Sequence, residues 1–224
     1  MLKRLVKDGW DGFCGFGVGI LQSGENQLHV GMVYQDSVDS APRFFHFANH
    51  FVLEKTDPSR FLHYRFSWAN SGLEEENRAI MIDWVNMASR IEAQDLAYGF
   101  DVDGQVFDDE GRLLPLSPGK GVTCASFVMA AHKVHGLDLL DHAWPNRPDD
   151  TVWQLRIIEV VNDHCNSKSI DASAHIEALR NDIGAVRYRP DEVAAGVISE
   201  DSPLEFNDAR TMADEIVREL LAAD

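Results

Sequence analysis

The chain is short of cysteine, of basic charge and of long apolar runs, and each shortage removes a class of function. Its three cysteines, Cys14, Cys124 and Cys165, lie far apart. They offer neither the paired spacing of a zinc site nor the disulfide framework of a small secreted domain. A reducing compartment, and with it a cytoplasmic location, is therefore expected; export by a route the sequence does not display stays open. Lys and Arg number 20 against 37 Asp and Glu, a formal net charge of -17. That balance argues against nucleic acid and anionic membrane as partners and permits a basic protein partner. No apolar run approaches the ~20 residues of a membrane-spanning helix, so no membrane span is expected. The opening Met1–Gly9 carries basic residues without the apolar core of a signal peptide. Internal repeats, low-complexity tracts and a His-Glu-x-x-His pair are all missing.

What is present suits one domain with a sizeable core, or one domain plus a small appendage: 224 residues, 45% hydrophobic and 25% charged. Residues 13–21 alternate large side chains with glycine, as in a strand whose bare face another backbone or a ligand approaches closely. The Gly-x-Gly-x-Gly pattern is not a dinucleotide loop, because a turn cluster and a second strand follow it in place of a helix. Residues 28–34 complete an antiparallel hairpin, 43–53 read as a third strand with room for a turn of one or two residues, and 61–68 as a fourth. A helix is expected from Leu73 with Ser71 as N-cap. Residues 101–112 hold Asp101, Asp103 and Gly104 out of register for a calcium loop, and read as a hairpin or solvated excursion. Further helices are expected after Cys124, around Trp153, and over 172–182, 190–195 and 207–222, the last capped by Asn207 or Asp208. The expected fold class is α+β, with an antiparallel sheet packed against a cysteine-bearing helix over 1–165. An acidic helical extension over 166–224 packs on this domain or presents a surface to a protein partner.

The chemistry centres on residues 119–128, Gly-Lys-Gly-Val-Thr-Cys-Ala-Ser-Phe-Val, a glycine-bracketed loop that opens a helix. Gly136 closes the helix. A thiol on a first helical turn meets free backbone N–H groups and the positive end of the dipole, which favour thiolate. A buried structural cysteine is the competing reading. A nucleophilic cysteine needs a base and a group to orient that base. His132, His135 and His142 lie two or more turns beyond the thiol, at least ~10 Å along the axis, and His164 and His175 read as surface residues. His29, His46, His50 and His63 remain, all in the strand region. His29 has Gly31 two positions on along the same face, where a missing side chain leaves room for a substrate. If the strands pair, His46 can orient His29 through a ring nitrogen. A metal site from His46, His50, His63 and Glu54 is a weaker alternative, and no cofactor is expected.

Leu28-His29-Val30-Gly31-Met32-Val33, Phe44-Phe45-His46-Phe47-Ala48 and Thr123-Cys124-Ala125-Ser126-Phe127-Val128 resemble the motifs of NlpC-type papain-like cysteine peptidases. The cysteine follows the histidines here, as in the circularly permuted branch that includes lecithin retinol acyltransferase. The resemblance implies a permuted papain-like fold, with Cys124 as nucleophile, His29 as base and His46, or His50, as orienting residue. It implies a peptide, amide or acyl substrate cleaved through an acyl-thioester, with the Cys124 N–H as half of an oxyanion hole. Acyltransferase or thioesterase chemistry, and a non-enzymatic interaction protein using the acidic tail, are the alternatives. The geometric expectation is that the Cys124 sulfur faces the His29 ring within hydrogen-bond reach. Placement on opposite faces of the sheet would defeat it.

Overall fold

In a computed structural model, which describes residues 2–25, 27–37, 39–90, 96–100, 106–108 and 110–222, the glycine-spaced run lies within a six-stranded antiparallel sheet. The strands are β1 Lys3–Arg4, β2 Phe16–Gly24, β3 Gln27–Tyr34, β4 Arg43–Asn49, β5 Val52–Thr56 and β6 Ser67–Asn70. Their spatial order is β1-β6-β2-β3-β4-β5. At Gly17 a side chain would meet backbone, since a Cβ there would lie 2.0 Å from the Ala69 carbonyl oxygen. Glycine is what lets β6 dock beside β2.

The helices are α1 Leu5–Asp8, α2 Glu75–Ala88, α3 Cys124–Lys133, α4 Pro148–Ser167, α5 Ser173–Asn181, α6 Pro190–Ile198 and α7 Phe206–Leu221. The fold class is thus α+β. No helix among the described residues is long and apolar enough to cross a membrane.

Several boundaries differ from expectation. Residues 43–53 make two strands, β4 and β5, turned at Phe51 with φ of 58°. Most of 61–68 belongs to a 3₁₀ helix, Pro58–Tyr64, because Asp57 caps it through Ser59 N–H at 2.9 Å and Pro58 opens it. Only its end joins β6. Ser71 does not cap α2; it is buried beside the 197–199 stretch, and Glu74 holds the N-cap position. The last helix begins at Phe206, with Glu205 rather than Asn207 or Asp208 at its cap. The calcium-loop candidates Asp101, Asp103 and Gly104 lie outside the described residues. Flanking them, Phe107 and Leu113 form an antiparallel bridge.

The alternating pattern gives the sheet two unlike faces. Val18, Ile20, Val30, Met32, Phe45 and Phe47 point to the helical side and form the main core with α2, α3, α4, α6 and α7. Leu21, Val33, Phe44, Phe66 and Trp68 point the other way, into a small aromatic cluster closed by Leu5, Trp10, Phe13 and Phe61. Residues 166–222 do not form a separate layer. In α6 everything from Pro190 to Val197 is buried, with Val193, Ala194 and Ala195 in the same core as the sheet. A buried ion network fastens this segment. Asp150, on the first turn of α4, accepts from Arg147 Nε at 2.8 Å, Arg189 Nη2 at 3.1 Å and Arg187 Nη1 at 3.2 Å. Glu192 of α6 is fully buried and takes Arg147, Arg210 and the Arg189 N–H.

Candidate functional site

Thr123 and Ser126 position the thiol. The Ser126 N–H donates to Thr123 Oγ1 at 3.1 Å, and the Thr123 N–H donates to Ser126 Oγ at 2.8 Å. This reciprocal capping box starts α3 at Cys124 and fixes its first turn. Phe127 anchors the helix by packing on Phe45 and Phe47 of β4.

His29 and His46 come together because β4 lies beside β3 and Gly31 has no side chain. His29 Nε2 and His46 Nδ1 are 2.9 Å apart, one of them carrying the shared proton. A Cβ on Gly31 would fall 2.6 Å from the His46 Cβ and 2.7 Å from the Phe45 carbonyl oxygen. The space at Gly31 is therefore filled by β4 itself and not left for a substrate. His46 stacks on Phe44 at 4.4 Å between ring centroids, and its Nε2, buried without a hydrogen-bond partner, lies 3.9 Å from Glu54 Oε2 on the facing residue of β5. Burial pushes the His29 imidazole down to about 4. Burial, then the neighbouring charges of His29 and Arg60, push His46 down to about 2. Both rings are neutral at pH 7.

His29 pairs with Leu21 in the register and so projects to the aromatic face, while α3 packs on the other. The last β3–β4 partners are Met32 and Phe45, so β4 does not pair with Val30. The Val30 N–H reaches the Cys124 sulfur. Among the described residues no hydrogen bond joins Cys124 Sγ to His29, and His29 Nδ1 is likewise unbonded. The expected hydrogen bond between the two is not formed in this structure. Burial raises the thiol above its ordinary pKa, and the Val30 N–H, the Arg187 charge and the Ala125 and Cys124 N–H groups pull against this without reversing it.

Cys124 and His29 nevertheless line one cavity of about 80 Å³. Tyr98, Trp153 and Arg187 line it too, and none of these was singled out from sequence. Arg187 lies 3.6 Å from the centroid of the Trp153 ring. No local pattern announces these residues, since they converge from a loop, α4 and the stretch before α6.

The remaining histidines are committed elsewhere. His50 is buried and its Nδ1 accepts from the Tyr98 N–H at 3.0 Å, so it does not reach His29. His63 sits exposed on the 3₁₀ helix. His132 is fully buried and its Nδ1 bonds the Val128 carbonyl at 2.8 Å. His175 is not a surface residue: Nδ1 accepts from the Gly119 N–H at 3.0 Å and Nε2 donates to the Tyr98 carbonyl at 2.7 Å. Among the described residues no three His, Cys, Asp or Glu side chains converge as metal ligands, so His46 and Glu54, 3.9 Å apart, are not joined by His50 and His63 in a ligand set. No protein family, curated protein or solved structure matches the chain.

Proposed function

We propose that the protein is a cysteine-dependent acyl hydrolase of permuted papain-like architecture, acting on an amide, peptide or other acyl substrate. His29 Nδ1 takes the Cys124 thiol proton, and the sulfur attacks the carbonyl carbon. The leaving group departs with the proton from His29, and water then cleaves the acyl-thioester and restores the thiol. For His29 to act through Nδ1, its proton sits on Nε2 and points at His46 Nδ1. His46 then carries its own proton on Nε2, on the side of the Glu54 carboxylate. The first-turn N–H groups of α3 supply donors for the oxyanion, and Arg187 supplies positive charge on the cavity wall.

The observation that carries this reading is the 2.9 Å His29–His46 hydrogen bond, which occupies Nε2 and leaves Nδ1 of a cavity-lining imidazole unengaged. Proton transfer requires the sulfur and Nδ1, whose residues line the same cavity, to close to hydrogen-bond distance. The raised thiol favours a second reading, an interaction protein whose Cys124 is an inert thiol. Alkylation separates the two. On the hydrolase reading, iodoacetamide labels Cys124 faster than Cys14 or Cys165, electrophilic acyl probes map to Cys124, and Cys124→Ala abolishes turnover. Uniformly slow labelling of Cys124 with no acyl adduct makes the inert reading correct.

A further inference from the structure

The backbone of Tyr98 is held on both sides of its Cα by imidazoles. Its N–H donates to His50 Nδ1 at 3.0 Å, and its carbonyl accepts from His175 Nε2 at 2.7 Å. The second nitrogen of His175 accepts from Gly119 N–H at 3.0 Å, and Gly119 begins the loop that delivers Thr123 and Cys124. The same two segments are zipped together directly. The Val122 N–H bonds the Ala97 carbonyl at 3.0 Å, and the Gly99 N–H bonds the Val122 carbonyl at 3.2 Å. Gly99 and Gly121 are pressed so close that a Cβ on Gly121 would lie 2.2 Å from the Ala97 carbonyl oxygen. Ala178 of α5, one turn beyond His175, fills the space beside Gly119. The two rings lie 4.7 Å apart between centroids.

We infer that His175 and His50 are positioning residues for the Cys124 site, a clamp that holds the Gly119–Thr123 loop and Tyr98 in register only while both imidazoles are neutral. An imidazole nitrogen that accepts from a backbone N–H must offer a lone pair, so each ring carries its single proton on Nε2. A second proton would set two N–H groups against each other, at Gly119 for one ring and at Tyr98 for the other. The clamp acts through Val122 and the Thr123 cap on the sulfur, and through Tyr98 on the opposite cavity wall. The titratable neighbours are His164 of α4, whose charge acts on His50, and Asp171 ahead of α5, which lines the cavity between the rings and the 113–118 loop. α5 thus contributes to the site from the far end of the chain.

The consequence for catalysis rests on the hydrolase reading, but the clamp is measurable without it. In His175→Ala, amide exchange at Gly119 is expected to quicken about tenfold, the loss of one hydrogen bond, while Val33 in β3 keeps its protection. His175→Asn, whose amide oxygen accepts without titrating, guards against misfolding of the alanine variant. Thiolate content alone gives Cys124 alkylation about a tenfold fall per pH unit. The wild type is expected to fall more steeply as the clamp protonates, below the ordinary imidazole range and toward about pH 4 for His50, and His175→Asn to fall less steeply than the wild type. Identical slopes in the two proteins overturn the inference. If the slopes differ but no acyl probe is turned over by any form, the clamp stands and the hydrolase reading falls. If turnover is found with identical slopes, only the clamp falls.

Discussion

Gly31 governs the chemistry of its neighbours by having no side chain. His46 approaches His29 across the space a Cβ would fill, 2.6 Å from the His46 Cβ. Gly31→Ala is therefore expected to push β4 outward and break the His29–His46 bond. The overpacking costs about 1–3 kcal/mol, and displacement of the base by ~1 Å lowers turnover about 10²-fold. Retained turnover with unchanged imidazole NMR shifts would count against His46 as the orienting group. At this scale the sequence was readable where the determinant is local. His29 and His46 stand on adjacent paired strands, and strand alternation alone puts them on one face. The relation of His29 to the thiol was not readable, since it depends on which face α3 covers. His175 reads as a surface residue in the sequence for a similar reason: its partners, Gly119 and Tyr98, are 56 and 77 residues away along the chain.

Among the elements, α3 shows how much local sequence carries. Thr-x-x-Ser at 123–126 marks its start, and Gly136, with φ of 70°, marks its end. The 3₁₀ helix at 58–64 had a comparable Asp-Pro signal, overlooked because Phe61–Trp68 alternates like a strand. The turn between β4 and β5 had none, since His50 and Phe51 are poor turn formers held there by the Leu96 carbonyl and the Tyr98 N–H. For α6 the clue was an apolar run around its whole circumference, Val193 to Val197, typical of a helix sunk in a core. The ion network fixing α4 against this stretch is a tertiary feature. Burial works against the charge of Asp150, yet Arg147, Arg189 and Arg187 hold its carboxyl below the usual range. Asp150→Ala leaves those guanidinium groups without their shared acceptor and is expected to cost about 3–5 kcal/mol, read as a lowered urea midpoint. A loss below about 1 kcal/mol would show that water or the remaining acids replace it.

For the molecule as a whole, the buried histidines link stability to acidity. Burial foremost pushes His29, His50 and His132 down to about 4, and His46 to about 2. In the unfolded chain each returns to about 6.5. Below that value the unfolded state takes up protons that the folded state refuses. The stability due to these rings is full above about pH 6.5 and declines as the pH falls toward 4, with His46 extending the decline toward 2. Urea midpoints should therefore drop between about pH 7 and pH 5, before most carboxylates titrate. A flat profile there would mean that these rings take up protons in the fold as readily as in the unfolded chain. The formal charge of -17 does not foretell this behaviour, because it counts every histidine as neutral.

The cavity at Cys124 measures about 80 Å³, against the ~300–1,000 Å³ of pockets that admit small molecules. Trp153, Ile157, Val160 and Val161 of α4 form one wall. Cys124 is partly covered, and a reagent as large as iodoacetamide is expected to meet the sulfur as this wall moves aside. At low concentration the alkylation rate should rise in proportion to reagent, and at high concentration it should level off at the frequency of opening. The plateau would make Cys124 a clock for the breathing of α4. A bulkier maleimide should reach the same ceiling, because both reagents wait for the same event; a rate that stays linear would show the thiol open at rest.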